Sequence, residues 1–394
     1  MIDENKSFLS QAIKVMKSEI TRITKDLGVI IFLFILPLAY PLVYALIYGP
    51  ETAHEIPIAV VDDSRTESSR KFLRMLDATS QVNISSYSAD MQEARRLADA
   101  RDIFGILNLD RDFEENIMSG KQSVASIFLD MSSLLYYREI LTAATNVNLA
   151  FNQDLQKRAM VGATVKQMSM ALSPVKSSSI SIYNPTSGFA IFIVPGIEVL
   201  IIQQSLLLGV SVLAGTVYQE RKRRKDKGIE VKEFTCSPLS EVLGKAVAYI
   251  LAATASTVWA VGFMPMLLDY TSLGYILTSV VFLTPFICGS VFLAIALSTL
   301  FKSREIPMLL FIFMSIPLLF LSGISWPWDS ISSFWKGVAS FFPSTFAIQG
   351  IVYIKSCGAN LSQVEPLFIK LWIQCILYFC IAWIAFKFKA KRQR

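Results

Sequence analysis

The sequence predicts a polytopic α-helical membrane protein with six transmembrane helices, an N-terminal interfacial helix, and an α/β extracytoplasmic domain between helices 1 and 2. Three observations predict it. The 394 residues are 53% hydrophobic and only 17% charged, with a mean hydropathy of +0.49, whereas soluble domains are about a quarter charged. Six apolar stretches, 27–48, 189–214, 241–266, 275–299, 306–323 and 366–387, approach or exceed the ~20 residues of a bilayer crossing. Between the first two lies a polar segment, 49–188, that alternates strand and helix patterns.

Residues 1–26 read as a cytoplasmic amphipathic helix. Leu9, Ala12, Ile13, Met16, Ile20 and Ile23 recur at helical spacing, with Lys14, Lys17 and Lys25 elsewhere around the barrel. A cleaved leader fits poorly, because the following apolar run is too long and Tyr48-Gly49-Pro50 offers no small-residue cleavage site. Pro37, Pro41, Pro195, Pro285 and Pro317 fall inside spans. Bundled helices tolerate them where neighbours satisfy the freed backbone groups.

In 49–188, strands are expected at 56–62, 82–88, 102–109 and 123–130, and helices at 66–78, 90–100 and 111–118. A long helix from about 133 to 170 then leads to the second span. Its charges are mixed in sign and dispersed, which argues against a nucleic-acid surface.

The short flanks set the orientation. Lys14, Lys17, Arg22 and Lys25 precede span one, Arg221–Lys227 lie between spans two and three, Lys302 and Arg304 between four and five, and Lys387–Arg394 after six. All fall on one side of a six-span topology, the cytoplasmic side by the positive-inside rule. The opposite short loop, about 324–365, carries only Lys336 and Lys355.

Little in the chain points to covalent chemistry. No phosphate-cradling G-x-x-x-x-G-K-[ST] occurs; Gly244-Lys245 lacks the upstream glycine and is followed by Ala246. The single histidine, His54, reads as a solvated loop residue, and Cys236, Cys288, Cys357, Cys375 and Cys380 lack metal-ligand spacing. No catalytic, cofactor or metal site is expected. The best intramembrane polar residue is Glu198, with Gln203 and Gln204 within two turns. Such groups line a pathway or pair across a dimer interface. If the helix instead begins at Pro195, Glu198 lies hydrated near the outer interface.

Residues 219–245, QERKRRKDKGIEVKEFTCSPLSEVLGK, concentrate positive charge between two apolar runs. Ser237 suits an N-cap, Pro238 the first helical position and Glu241 the first turn, so span three opens at Pro238. Gly228 separates the basic run from the short amphipathic piece Ile229–Phe234, a docking surface for a soluble partner. Anionic lipid heads would suit the same charge. In 324–350, Trp326, Trp328 and Trp335 suit the outer interface, and Ile331, Phe334, Trp335, Val338, Phe341 and Phe342 recur at helical spacing. This is either a short helix dipping into the outer leaflet or a plain interfacial anchor.

Three features in order resemble the ABC-2 type permeases, membrane subunits of bacterial ABC exporters. The first is Gln219-Glu220-Arg221, then Gly228, Ser237–Glu241 and Gly244-Lys245. The second is Ser322-Gly323, Trp326-Pro327, Trp335 and Phe342–Thr345. The third is the layout: an interfacial helix, one span, a large external domain, five further spans. Asn184-Pro185 followed by Val194-Pro195-Gly196 resembles the entry to span two in members with large external domains.

The resemblance implies a half-transporter in a bacterial inner membrane. Two permease chains, identical or a paralogous pair, associate, and ATP and Mg are held by a separate ATPase subunit. The implied ATPase-docking loop is 215–240, with Glu220, Arg221, Gly228, Ile229, Glu230, Phe234 and Pro238, together with Lys245 just beyond it. The implied outer hairpin, 324–350, is marked by Trp326, Pro327, Trp335 and Pro343, with Gly323 at its entry. The external domain could meet a periplasmic adaptor, and the cargo would be amphipathic or lipid-like. Two other readings stay open: an ion-coupled carrier using Glu198, which would usually show internal repeats, and a membrane-anchored sensor, which one span would serve.

Overall fold

The computed structural model describes residues 8–47, 53–159, 189–228, 236–267 and 273–393. The chain divides into a helical unit, Met1–Gly49 with Ser181–Arg394, and a second unit, Pro50–Ile180.

The helical unit opens with α1 (Phe8–Lys25). Asp26 breaks the helix in an extended conformation and accepts the Gly28 and Val29 amides, capping α2 (Leu27–Ile30). A π-helical turn, Ile31–Ile35, leads into α3 (Leu36–Ile47). The third span behaves alike: α9 (Pro238–Thr257) passes through a π-helical turn, Val258–Phe263, into α10 (Met264–Leu267). Both turns sit against a proline, Pro37 and Pro265. A proline has no N–H for the carbonyl four residues back, which here is Leu33 and Val261. Side chains from other helices take both: Ser256 Oγ donates to the Leu33 carbonyl at 3.2 Å, and Lys355 Nζ to the Val261 carbonyl at 2.9 Å. Ser256→Ala is expected to cost about 1–3 kcal/mol, the range for stranding a buried acceptor, read as a lowered melting temperature in lipid nanodiscs.

The second span is α8 (Phe189–Asp226), 38 residues without a break. Two expectations change here. Pro195 lies inside this helix rather than at its start, so Glu198 is in a helix interior. The basic run is not a loop from 215 onward but the final turns of the same helix. Gln, Glu, Arg and Lys are good helix formers, and cations in the last turn suit the dipole. Gly228, at φ +68°, ends it. The piece 229–234 lies outside the described residues.

The remaining helices are α11 (Ile276–Ser298), α12 (Glu305–Leu321), α13 (Ser333–Ala339), α14 (Pro343–Cys357) and α15 (Glu365–Gln393). Among the described residues, five helices are long and apolar enough to cross a membrane, at Leu27–Tyr44, Ile193–Asp226, Pro238–Leu267, Ile276–Ser298 and Glu365–Lys391. α12 has 17 residues, and α13 and α14 meet at a 94° bend. The stretch 324–365 is therefore not a loop, and Lys355 is not on one.

α11 is the centre of this unit, with Phe282, Phe286 and Val291 fully enclosed. α14 approaches it so closely that a Cβ on Gly350 would stand 2.0 Å from the Phe282 ring. Gly215 of α8 is similarly forced: a Cβ there would lie 2.3 Å from the Ser303 carbonyl oxygen.

In the second unit, β1 (Ile56–Asp62), β2 (Val82–Tyr87), β3 (Gly105–Leu109) and β4 (Ala125–Leu129) form one sheet in the order β2-β1-β3-β4. β1 pairs in parallel with β2 and β3, and β4 is antiparallel to β3. Alternate residues of β1 face opposite ways, so each face needs cover. Ile56, Ile58 and Val60 share a core with α4 (Glu67–Asp77), α6 (Phe113–Met118) and α7 (Leu134–Ala159) through Phe72, Phe113, Ile140 and Phe151. Ala59 and Val61 pack with Ala94 of α5 (Met91–Asp99). Thr66 and Ser69 make a reciprocal capping box at α4, and Asp90 caps α5. Helix α7 begins at Leu134 as expected; the expected continuation to 170 lies outside the described residues.

Candidate functional site

The basic end of the helical unit gathers most of the expected docking residues. Glu220 and the Lys222–Gly228 stretch are exposed on the last turns of α8, while Arg221 is half-buried and acts electrostatically on Glu241 of α9. Pro238 opens α9, but the Ser237 hydroxyl makes no capping bond, contrary to expectation. Its backbone N–H instead donates to Gln11 of α1 at 3.1 Å. Lys245 is half-buried, 3.5 Å from Glu241 and over the Phe386 ring of α15 at 5.2 Å. Ile229, Glu230 and Phe234 lie outside the described residues. Burial, and secondarily the Glu241 charge, push the Cys236 thiol up to about 11, so it stays protonated at neutral pH.

Sequence reasoning missed how firmly α1 is bound here. Its Glu19 is buried and accepts the Tyr249 hydroxyl of α9 at 2.8 Å, with Arg22 at 3.6 Å. A Cβ on Gly244 would lie 2.5 Å from the Ala12 carbonyl oxygen, so the two backbones touch. The signal was present: Glu19 falls on the stripe that holds Ala12 and Ile23, where a carboxylate needs a partner.

The interior holds a second set. Glu198 and Lys355 are each only 4% exposed, and each acts electrostatically on the other. Glu198 comes from α8 and Lys355 from the last turn of α14, where its ammonium also binds the proline-orphaned Val261 carbonyl. One side chain thus binds a proline-freed carbonyl within electrostatic reach of a buried acid. Lys355 was legible only as a loop lysine, because its helix was not foreseen.

Gln203 and Gln204 have separate fates. Gln203 Oε1 accepts the Ser344 amide at 2.7 Å. Pro343 starts α14 without an N–H, so Ser344 is the first donor that the helix end leaves open. Gln204 is buried, and neither atom of its amide finds a partner among the described residues.

The bend between α13 and α14 exposes carbonyls that other helices collect. Thr345 binds the Ala339 carbonyl at 2.7 Å, Gln374 that of Ser340 at 2.7 Å, and Tyr378 that of Phe341. Within the expected hairpin, Trp326, Pro327 and Trp335 are exposed and Pro343 is buried. Gly323, just before it, takes φ +92° beside Trp328 and Gln349. The aromatic stretch is therefore a short helix, α13, joined to a buried one.

A single helix, α8, carries Glu198, Gln203 and Gln204 at one end and Glu220 and Arg221 at the other. At 1.5 Å per residue it is a rod of about 57 Å. It can transmit displacement between a buried polar cluster and an exposed basic end. Comparison with curated proteins gives no match at a significant level. The family model described as ABC-2 family transporter protein matches residues 27–384, which takes in α8, α9 and α14 whole and all of α15 but its last turns. The chain therefore belongs to the ABC-2 family of transporter proteins, as its membrane-embedded subunit.

Proposed function

We propose that this chain is the permease half of an exporter with six crossings. α12 supplies the fifth crossing and the α13–α14 bend turns back within the outer leaflet. Both termini and the basic end face the cytoplasm of a bacterial cell, and residues 49–188 face the periplasm, where an adaptor could bind. A second copy or a paralogue completes the pathway. ATP and Mg belong to a separate ATPase, in keeping with the missing phosphate loop in this sequence. The cargo is amphipathic or lipid-like, moved outward.

The observation that carries this reading is the unbroken α8, which joins the basic docking end to Glu198, Gln203 and Gln204. Domain closure of docked ATPases would displace the Glu220 end, and a bistable bundle would answer at the buried end. Gln204, buried without a partner among the described residues, fits a group that meets cargo, water or the second chain.

The test is a charge reversal. Glu220→Lys with Arg221→Glu is expected to reduce recovery of the ATPase in pull-downs by about tenfold or more, within the range for a charged interface pair, while membrane insertion is unchanged. Recovery at the wild-type level would refute the docking assignment.

A further inference from the structure

Two groups of segments meet at the basic end, and an ion pair joins them. The first group is α1 with α9. They are held by Glu19–Tyr249, by the Gln11–Ser237 bond and by the backbone contact at Gly244. The second is the lower part of α8 with residues 302–304, held by the contact of Gly215 on Ser303. Gln219 Nε2 reaches Glu305 Oε2 at 3.5 Å on the same side.

Between them, Arg304 makes a two-pronged bond to Asp26, Nη1 to Oδ2 at 3.1 Å and Nη2 to Oδ1 at 2.9 Å. The Asp26 side chain is 12% exposed, and Thr216 of α8 also donates to it at 3.4 Å. The fork fits only because residue 28 is glycine: a Cβ there would stand 2.1 Å from Arg304 Nη2. Planar bidentate recognition of this kind is strong and geometrically selective.

Each charged partner lies at a break in the chain. Asp26 is the extended residue between α1 and α2, one turn before a π-helical turn. Arg304 directly precedes α12, after the non-helical 300–303. Such positions absorb the dihedral changes of hinge motions, and π turns recur where helices deform. Thr216 is one turn before Glu220 and Arg221.

We propose that Asp26–Arg304 is a latch. It is closed in the resting chain and opens when the end of α8 is displaced, so that α1, α9 and the first crossing part from the second group. Asp26 and Arg304 are then positioning residues for coupling. This rests on the permease reading above.

Asp26→Asn separates the latch from the cap, because asparagine still caps a helix but cannot pair ionically with Arg304. Val29→Cys, fully buried on α2 where it packs against α8, serves as the reporter in full-length chain in liposomes. Its labelling by a water-soluble maleimide is read by site-resolved mass spectrometry. Asp26→Asn and Arg304→Gln are each expected to raise the labelling rate about tenfold, and the double variant no further, as for residues acting as one unit. This arm needs no ATPase. In the complex with docked ATPase, ATP is expected to raise labelling in the chain with native Asp26 and Arg304 and to change nothing in Asp26→Asn. Labelling of Asp26→Asn at the parent rate overturns the latch. So does a melting temperature as low as that of Asp26→Ala, which would mark a static brace, and so does ATP-insensitive labelling in the parent complex. Failure of ATPase docking in the parent, read by pull-down, contradicts the permease reading instead.

Discussion

Lys355→Met is expected to be the most damaging single substitution, lowering stability by about 1.5–3 kcal/mol, the range for a hydrogen bond to a charged group, because its ammonium binds the buried Val261 carbonyl. The methionine fills similar space, so the loss is electrostatic rather than a cavity. Val261 would lose the side-chain donor that takes its carbonyl, and Glu198, itself 4% exposed, would lose a nearby cation. Adding Glu198→Gln leaves the Val261 carbonyl without its donor and should restore little of the loss. About 1–3 kcal/mol would remain for the unsatisfied Val261 carbonyl. Thermal unfolding of the four proteins of this cycle in nanodiscs measures it. A Lys355→Met protein within about 0.5 kcal/mol of wild type, the range of an ordinary surface change, would contradict the bond to Val261 as a stabilising contact.

Gln203→Leu is expected to be the next largest, about 1–3 kcal/mol. Proline at position 343 makes Ser344 the first free donor of α14, and Gln203 is its acceptor at 2.7 Å. No water competes in hydrocarbon, so the orphaned N–H has no cheap substitute. The damage should spread to the 94° bend, which Gln374 and Tyr378 hold from the other side. Combined with Gln374→Leu, the loss should depart from the sum of the singles, since both act on one turn. Additive losses in the same unfolding assay would mean that the bend is not a cooperative unit.

Period and hydropathy carried most of the helical fold. Long apolar runs at 27–48, 189–214, 241–266, 275–299 and 366–387 each contain one of the five long apolar helices or most of it. Of the strands of the second unit, β2 alternates buried or half-buried with exposed residues, while β1 is apolar on both faces. What the sequence hid was tertiary. Basic residues are as good in a helix as in a loop, so nothing local extended α8 to Asp226. Ser237 looked like a cap, yet Gln11 bonds its backbone from a distant helix. A lysine in Ile351–Cys357 reads as an end-of-loop charge until a bend places it beside Glu198 and a proline-freed carbonyl. Asp26 was legible in part, since an aspartate before Leu27-Gly28 is a cap signal, but its bond to Arg304, 278 residues on, was not.

The central claim is that a separate ATPase grips this chain at the exposed end of α8. Cross-linking mass spectrometry of the full-length chain, purified together with its nucleotide-hydrolysing subunit, tests it most directly. Links from that subunit are expected at Lys222, Lys225 and Lys227. Links confined to lysines of the second unit, such as Lys71 and Lys121, with none on the α8 end, would contradict the account.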